Sequence, residues 1–197
     1  MPSVHPLPTQ AAPLFTTARL AVRRWQADDL AMLYTVYADP EAVRWVGDGQ
    51  PITQAECERW LVVTANNYAR RGYGMWAVTS RDSAEVLGFA GLVHPGGQAE
   101  PEVKYALRRA CWGQGFASEL LPALLRHGAQ AHGLRQIIAT VDPDNLASQR
   151  VLRKAGAVPG ACREEDDGSR TLVFTWTAPS GVIPPAPAPV EPGWRGR

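Results

Sequence analysis

The residues best suited to chemistry in this sequence are Gly113 and Gly115, which lie in the run W-G-Q-G-F-A at residues 112–117. A strand-like pattern comes before this run, and an amphipathic helical pattern follows it at once. A glycine-rich turn at the start of a helix directs several backbone N–H groups, and the positive end of the helix dipole, at one point. The sequence therefore predicts a loop that binds phosphate without needing a basic side chain.

A second run, D-P-D-N-L-A-S at residues 142–148, opens the next helical pattern. Capping of the helix would by itself explain Asn145, and a tight turn would by itself explain the glycine pair. The two runs at this separation, with Gly156 after the second helix, favour a cofactor site over a plain turn. A dinucleotide or other nucleotide site is disfavoured, because Ser118 stands where the G-x-G-x-x-G motif has its third glycine.

With the further words T-A-R-L-A-V-R, E-V-K-Y-A-L and N-L-A-S-Q-R-V-L-R-K-A-G-A, the chain resembles the GCN5-related N-acetyltransferase (GNAT) superfamily. It looks most like the branch that acetylates the N-termini of ribosomal proteins, and the resemblance covers residues 14–178. The resemblance implies an α/β fold with a mixed, mostly antiparallel sheet flanked by helices. In this fold the sheet splays between its fourth and fifth strands. Acetyl-CoA enters the split from one side and the acceptor amine from the other.

The resemblance also assigns cofactor-binding residues. Backbone N–H groups of the glycine loop would hold the coenzyme A diphosphate, and the strand before the loop would pair its backbone with the pantetheine arm. The tryptophan at the first loop position replaces the usual Gln or Arg, a departure that the branch shares. The residues assigned in this way are Ala106, Leu107, Trp112, Gln114, Gly115, Phe116, Ala117, Ser118 and Asn145.

Two residues are predicted to be catalytic. The superfamily often has a tyrosine acid at the position that Leu152 occupies here, and leucine cannot donate a proton. The resembled branch instead implies Ser148, three residues after Asn145, as the proton donor to the departing thiolate. Glu102, before the loop, is our candidate for a general base acting through a water, and Glu100 is a weaker one. A solvated charge at the end of the strand is the plainer interpretation of Glu102. A lysine amine needs such a base more than an α-amino group, because its pKa is higher.

These assignments predict an N-acetyltransferase that moves an acetyl group from acetyl-CoA to a primary amine by direct attack in a ternary complex. The acceptor is a protein N-terminus or a small-molecule amine. Arg44, Trp45 and Tyr73 are a hypothesis for its binding wall. The alternative is a non-catalytic acyl-CoA-binding or sensing module on the same fold, which would bind the cofactor without turnover.

The elements that must position these residues follow from apolar periodicity and punctuation. A bend or a lost hydrogen bond is expected at Pro122, inside the helix after Gly115, because proline has no N–H and its ring crowds the preceding turn. Helices are predicted after Asp29, Thr53, Gly115 and Asn145. Strands are predicted at residues 19–25, 75–79, 86–93, 103–107, 137–141 and 171–176.

Composition limits the remaining classes. The 197 residues suit one domain at residues 15–178, between an N-terminal tail at 1–14 and a proline-rich C-terminal tail at 179–197. The net charge of +1 does not favour nucleic acid, and no apolar run suits a membrane span. The three cysteines and four histidines lack metal-ligand spacing, so we expect no metal. We expect a cytoplasmic protein, and the resemblance is compatible with a homodimer.

Overall fold

A computed structural model describes residues 12–164, 168 and 170–181 of the chain. The predicted tails lie outside the described residues except at residues 12–14 and 179–181. The helices are α1 (Leu30–Tyr37), α2 (Pro40–Val43), α3 (Gln54–Arg71), α4 (Phe116–His132) and α5 (Leu146–Lys154). The strands are β1 (Pro13–Thr16), β2 (Leu20–Arg23), β3 (Met75–Ser80), β4 (Val86–Val93), β5 (Glu102–Leu107), β6 (Gln136–Val141), β7 (Val158–Glu164) and β8 (Arg170–Thr177).

The eight strands form one sheet in the order β1-β2-β3-β4-β5-β6-β8-β7. Neighbouring strands are antiparallel except β5 and β6, which run parallel and share one registered pair, Glu102 with Ile138. Next to that pair, the Ile138 N–H donates to the Pro101 carbonyl at 2.9 Å. The sheet is therefore split along most of the β5–β6 boundary. The predicted fold class is confirmed, since these are the fourth and fifth strands of the sequence prediction.

The sequence prediction missed β1, β7 and the short helix α2. Both missed strands lie at the edges of the sheet and contain a proline, a residue that edge strands tolerate. All seven residues of β7 are exposed, so the strand has no buried face to produce an alternating apolar pattern.

Local signals fix the helices that matter for the site. A capping box between Thr53 and Glu56 begins α3, and Gly72 ends it with a φ of 79°. The amphipathic face of α4 buries Leu120, Leu121, Leu124 and Leu125. The helix continues through Pro122, whose missing N–H leaves the Ser118 carbonyl without its usual helical partner.

The core has two parts, one on each face of the sheet. Leu120, Leu124 and Val103 belong to the part under α4 and α5, whereas Ala106 and Phe89 belong to the part under α1 and α3. Because side chains alternate along β5, this strand faces both parts at the edge of the split. In the described part of the chain, no helix has the length and apolarity needed to cross a membrane.

Candidate active site

A cavity of about 710 Å³ follows the split in the sheet. One end lies at the glycine loop and the start of α4, and the middle lies between β5, β6 and the start of α5. The other end reaches the helices on the opposite face. This volume is in the range of small-molecule and cofactor sites. The cofactor residues predicted from the sequence that line the cavity are Ala106, Leu107, Trp112, Gly115, Phe116, Ala117, Ser118 and Asn145.

The glycine loop leaves the N-terminus of α4 free for a ligand. Gly113 and Gly115 have φ angles of 73° and 79°, a left-handed conformation that glycine adopts without strain. Gly115 is the N-cap of α4, and no side chain from the described part of the chain caps its first turn. By contrast, Thr53 caps α3 and Asn145 caps α5. The first-turn N–H groups of α4 therefore fit the diphosphate of coenzyme A.

Arg19, directly before β2, holds this loop from the side. Its Nε donates to Glu119 Oε2 at 2.7 Å, and its Nη1 donates to the Gln114 carbonyl at 3.0 Å. The guanidinium lies 4.3 Å from the centre of the Phe116 ring. Burial alone would raise the pKa of Glu119, but hydrogen bonds from Thr17 and Arg19 outweigh it and lower that pKa. Arg19 was not among the site residues predicted from the sequence, although the motif T-A-R-L contains it.

Two loop residues make contacts that the sequence did not predict. The Trp112 indole N–H donates to the Leu107 carbonyl at 2.8 Å, while 46% of the residue stays exposed at the cavity. The Gln114 amide donates to the Ala110 carbonyl at 2.8 Å, and Gln114 does not line the cavity. The Gln114 side chain therefore shapes the loop.

Ser148 and Tyr105 meet across the split. The Asn145 side-chain oxygen accepts the Ser148 backbone N–H at 3.1 Å, as an N-cap does. The Ser148 hydroxyl lies 2.9 Å from the Tyr105 hydroxyl, and either oxygen can donate. Burial raises the pKa of Tyr105, and the hydrogen bond with Ser148 acts in the opposite direction. Tyr105 also lines the cavity, and the sequence analysis missed it as a site residue.

The predicted base Glu102 is not solvated, so the plainer interpretation of this residue is corrected. Its residue exposure is 2%, because the strand end packs inside the split rather than facing water. The Lys104 ammonium lies 2.9 Å from Glu102 Oε1, and the Thr140 hydroxyl also donates to Oε1. Glu102 does not line the cavity, whereas Lys104 and Thr140 do. Glu100 is exposed and also lies outside the cavity wall.

The far end of the cavity is aromatic. Tyr37, Trp60 and Phe89 contact one another with ring centres 5.0–5.9 Å apart. Trp45 also lines the cavity and is 41% exposed, with the Arg44 guanidinium 4.8 Å from its ring centre. Of the hypothesised acceptor wall, the structure brings Trp45 to the cavity. It does not bring Tyr73, which is buried and whose hydroxyl contacts His94 at 2.8 Å.

In the described ranges, no group of three or more His, Cys, Asp and Glu side chains is arranged so that it could hold a metal ion. Among the described residues that line the cavity, Asp142 is the one carboxylate, and Lys104, Arg150 and Lys154 are the cations. Asp142 accepts the Asp144 backbone N–H at 2.7 Å, in the turn before α5.

The sequence is similar to named acetyltransferases. Residues 19–158 match the family described as "Acetyltransferase (GNAT) domain". The chain is 29% identical over 146 residues to "Uncharacterized N-acetyltransferase YoaA" of Bacillus subtilis, covering 73% of this chain and 82% of that protein. It is 26% identical over 158 residues to "FsC-acetyl coenzyme A-N(2)-transacetylase" of Aspergillus fumigatus, covering 75% of this chain and 66% of that protein.

Solved structures share the fold. A GNAT-family acetyltransferase from Bacillus anthracis superposes with a TM-score of 0.71 at 18% identity, covering 82% of this chain and 96% of that chain. The RimL ribosomal-protein acetyltransferase in complex with coenzyme A superposes with a TM-score of 0.70 at 21% identity, covering 85% of this chain and 98% of that chain.

Because the family match spans well over half of the sequence, the chain belongs to the GNAT acetyltransferase family, and it is an acyltransferase. The resemblance to the GNAT superfamily stated from the sequence is confirmed. Acetyl transfer from acetyl-CoA is the reaction of this family, and the non-catalytic alternative is not favoured. The predicted homodimer and cytoplasmic location stay predictions, as do the roles of individual site residues and the domain boundaries.

Proposed function

We propose that this protein transfers the acetyl group of acetyl-CoA to a primary amine by direct attack within a ternary complex. The observation that carries the proposal is a single cavity. It joins the uncapped N-terminus of α4 to the aromatic end through the split between β5 and β6. Two substrates entering from opposite faces would meet beside β5, where Tyr105 and Ser148 lie.

In the proposed complex, the first turn of α4 holds the diphosphate of acetyl-CoA. The N–H groups of Phe116, Ala117 and Ser118 belong to that turn, and none of the described side chains caps it. The widened gap beside β5 leaves its backbone at Ala106 and Leu107 next to the cavity, where the pantetheine arm would pair with it. Asn145 lies across the gap and would contact the same arm.

The chemical step forms a C–N bond and breaks the thioester C–S bond. The neutral amine attacks the carbonyl carbon, and the departing sulfur takes a proton from the Ser148 hydroxyl. The Tyr105 hydroxyl, at 2.9 Å, hydrogen-bonds to the Ser148 hydroxyl and orients it, and Ser148 recovers its proton from solvent after the products leave. A thiol of pKa about 8.5 leaves readily as a thiolate, so this donor adds to a leaving group that is already adequate.

The proton lost by the amine goes toward Glu102. The carboxylate accepts a hydrogen bond from Thr140, and Thr140 lines the cavity. The Thr140 hydroxyl therefore connects the buried carboxylate with the cavity. It takes the place of the water through which Glu102 was predicted to act. This connection supports Glu102 as the general base and adds Thr140 as its positioning partner.

Release of free thiol from acetyl-CoA, measured against a panel of primary amines, tests the proposal. We expect thiol release that depends on the amine, with the acetylated amine identified by mass spectrometry. Tight acetyl-CoA binding without amine-dependent release for any acceptor would contradict it and would support the binding module.

A further inference from the structure

The far end of the cavity bears on which amine the enzyme accepts, and the inference drawn from it rests on the proposed function. We infer that the acceptor is a primary amine whose remaining body is apolar or aromatic and carries no second positive charge. The inference depends on the composition of the wall at this end, on its rigidity, and on the charges around it.

The wall at this end is built from apolar and aromatic side chains. Tyr37 from α1 stacks on Phe89 from β4, with ring centres 5.0 Å apart and planes 15° apart. Trp60 from α3 packs against both rings, at 5.9 Å and 5.6 Å. Val46 and Val93 complete the surface. Three rings held by one another form a preformed surface for an apolar group.

Trp45 extends this wall to solvent. It directly follows Arg44, the residue after α2, and 41% of it is exposed, which is unusual for so large an indole. An exposed indole at the rim of a cavity is a ready contact for an aromatic or aliphatic substituent, because its burial would remove apolar surface from water.

The charges around the wall disfavour a second ammonium group. Asp142, the carboxylate of the cavity wall, lies in the turn before α5 and already accepts the Asp144 backbone N–H. Two cations lie along this part of the molecule, one in the cavity wall and one at its rim, outside the lining residues. Lys104 is paired with Glu102, and Arg44 lies over Trp45. Among the described residues that line this end, a second ammonium would lose its hydration without gaining a free carboxylate, and the Arg44 guanidinium at the rim would repel it.

A matched pair of amines tests the charge directly. n-Pentylamine and 1,5-diaminopentane have the same chain length and differ in one terminal ammonium. We expect kcat/KM for pentylamine, from thiol release, to exceed that for the diamine at least tenfold. We also expect 2-phenylethylamine to exceed ethylamine at least tenfold, since a single methylene in an apolar pocket can contribute a factor of about 10 or more. A diamine that equals or surpasses pentylamine overturns the inference.

Variants locate the effect. Trp45→Ala should lower kcat/KM for 2-phenylethylamine about fivefold and leave the KM for acetyl-CoA unchanged, because one rim contact of the apolar wall is lost. Tyr34→Ala is the matched control, because Tyr34 is an exposed aromatic residue that does not line the cavity. Arg44→Glu should reduce the ratio of kcat/KM for pentylamine to kcat/KM for 1,5-diaminopentane, because it replaces a repelling charge with an attracting one. An unchanged preference in both rim variants would contradict the inference.

Binding measurements separate this inference from the proposed function. Calorimetry with enzyme saturated with coenzyme A should show pentylamine binding at least tenfold more tightly than the diamine. Selective binding without turnover would reject the proposed function and keep the inference. Turnover with a preference for the diamine would support the proposed function and reject the inference.

The apolar amine could come from a small molecule or from a protein N-terminus. Peptides with N-terminal Phe and Lys, compared with 2-phenylethylamine, distinguish these sources. Faster acetylation of the Phe peptide than of the free amine would indicate a protein N-terminus, and the opposite order would indicate a small molecule. Preference for the Lys peptide over the Phe peptide overturns the inference.

Discussion

At the scale of single residues, the hydroxyl pair of Ser148 and Tyr105 leads to a direct prediction. Ser148→Ala should lower kcat about tenfold to a hundredfold with little change in the KM for acetyl-CoA, because it removes the proton donor. The backbone N–H that Asn145 accepts survives in the variant, so α5 should keep its cap. Tyr105→Phe should have a smaller effect, since Ser148 can still donate. Single-turnover kinetics would measure both, and an unchanged kcat in Ser148→Ala would remove it as the donor.

The buried carboxylate of Glu102 gives a second prediction. Glu102→Gln should lower kcat/KM for an alkylamine about a hundredfold and should change the pH dependence of kcat/KM. The reason is that such an amine is mostly protonated at neutral pH and needs a base. The loss should be smaller for an α-amino group, whose pKa is lower. Thr140→Val keeps the volume and removes the connecting hydroxyl, so it should reproduce the effect.

Glu102→Gln also removes the carboxylate that pairs with Lys104, and this loss lowers the stability of the fold. Thermal melting of each variant controls for this. A lower melting temperature with an unchanged pH profile would assign Glu102 a structural role alone.

At the scale of elements, the start of α4 is the feature that a mutation can most sharply test. Gly115→Glu should abolish acetyl-CoA binding, because a carboxylate would compete with the diphosphate at the positive end of the helix. The φ of 79° also penalises any side chain at this position. Gly96→Glu is the matched control, since Gly96 has a φ of 61°, open space for a Cβ, and no place in the cavity wall.

Calorimetric titration with acetyl-CoA measures both glycine variants. The Gly96 variant should bind acetyl-CoA as the wild type does. Retained affinity in a folded Gly115 variant would show that the diphosphate binds elsewhere.

At the scale of the whole molecule, His127 and His132 on α4 make stability depend on pH. Burial lowers the pKa of His127 from 6.5 to about 4, and the neighbouring His132 adds to this effect. Burial also lowers the pKa of His132. As the pH falls, His127 therefore becomes protonated in the unfolded chain before it does so in the folded protein. The stability contributed by neutral His127 is lost as the pH falls from about 6.5 towards 4.

His127→Phe should melt at an increasingly higher temperature than the wild type as pH falls through this window. Each kcal/mol of difference corresponds to about 2–4 °C in a protein of this size. The His127 ring already packs against Phe15 and Trp76, and its Nε2 has no hydrogen-bond partner among the residues that the structure describes, so phenylalanine suits the site. Melting curves at several pH values would measure this, and a difference that stays constant with pH would contradict it.

Much of the fold could be predicted from the sequence, because its signals are local. The capping box at Thr53, the amphipathic face after Gly115 and the alternation along β5 depend on neighbours within a few residues. The strand β7 and helix α2 were missed because one is wholly exposed and the other spans only four residues. Their formation depends on the elements they pack against.

The sequence by itself determined the fold class, the family and the glycine loop before α4, because apolar periodicity and a glycine turn at the start of a helix are local properties of the chain. Only the tertiary structure decided the partners of the chemical groups. Tyr105 meets Ser148, and Glu102 meets Thr140, through pairs that are 43 and 38 residues apart in the sequence. Such pairs form where the split sheet brings β5, β6 and α5 together, and no local pattern encodes that distance.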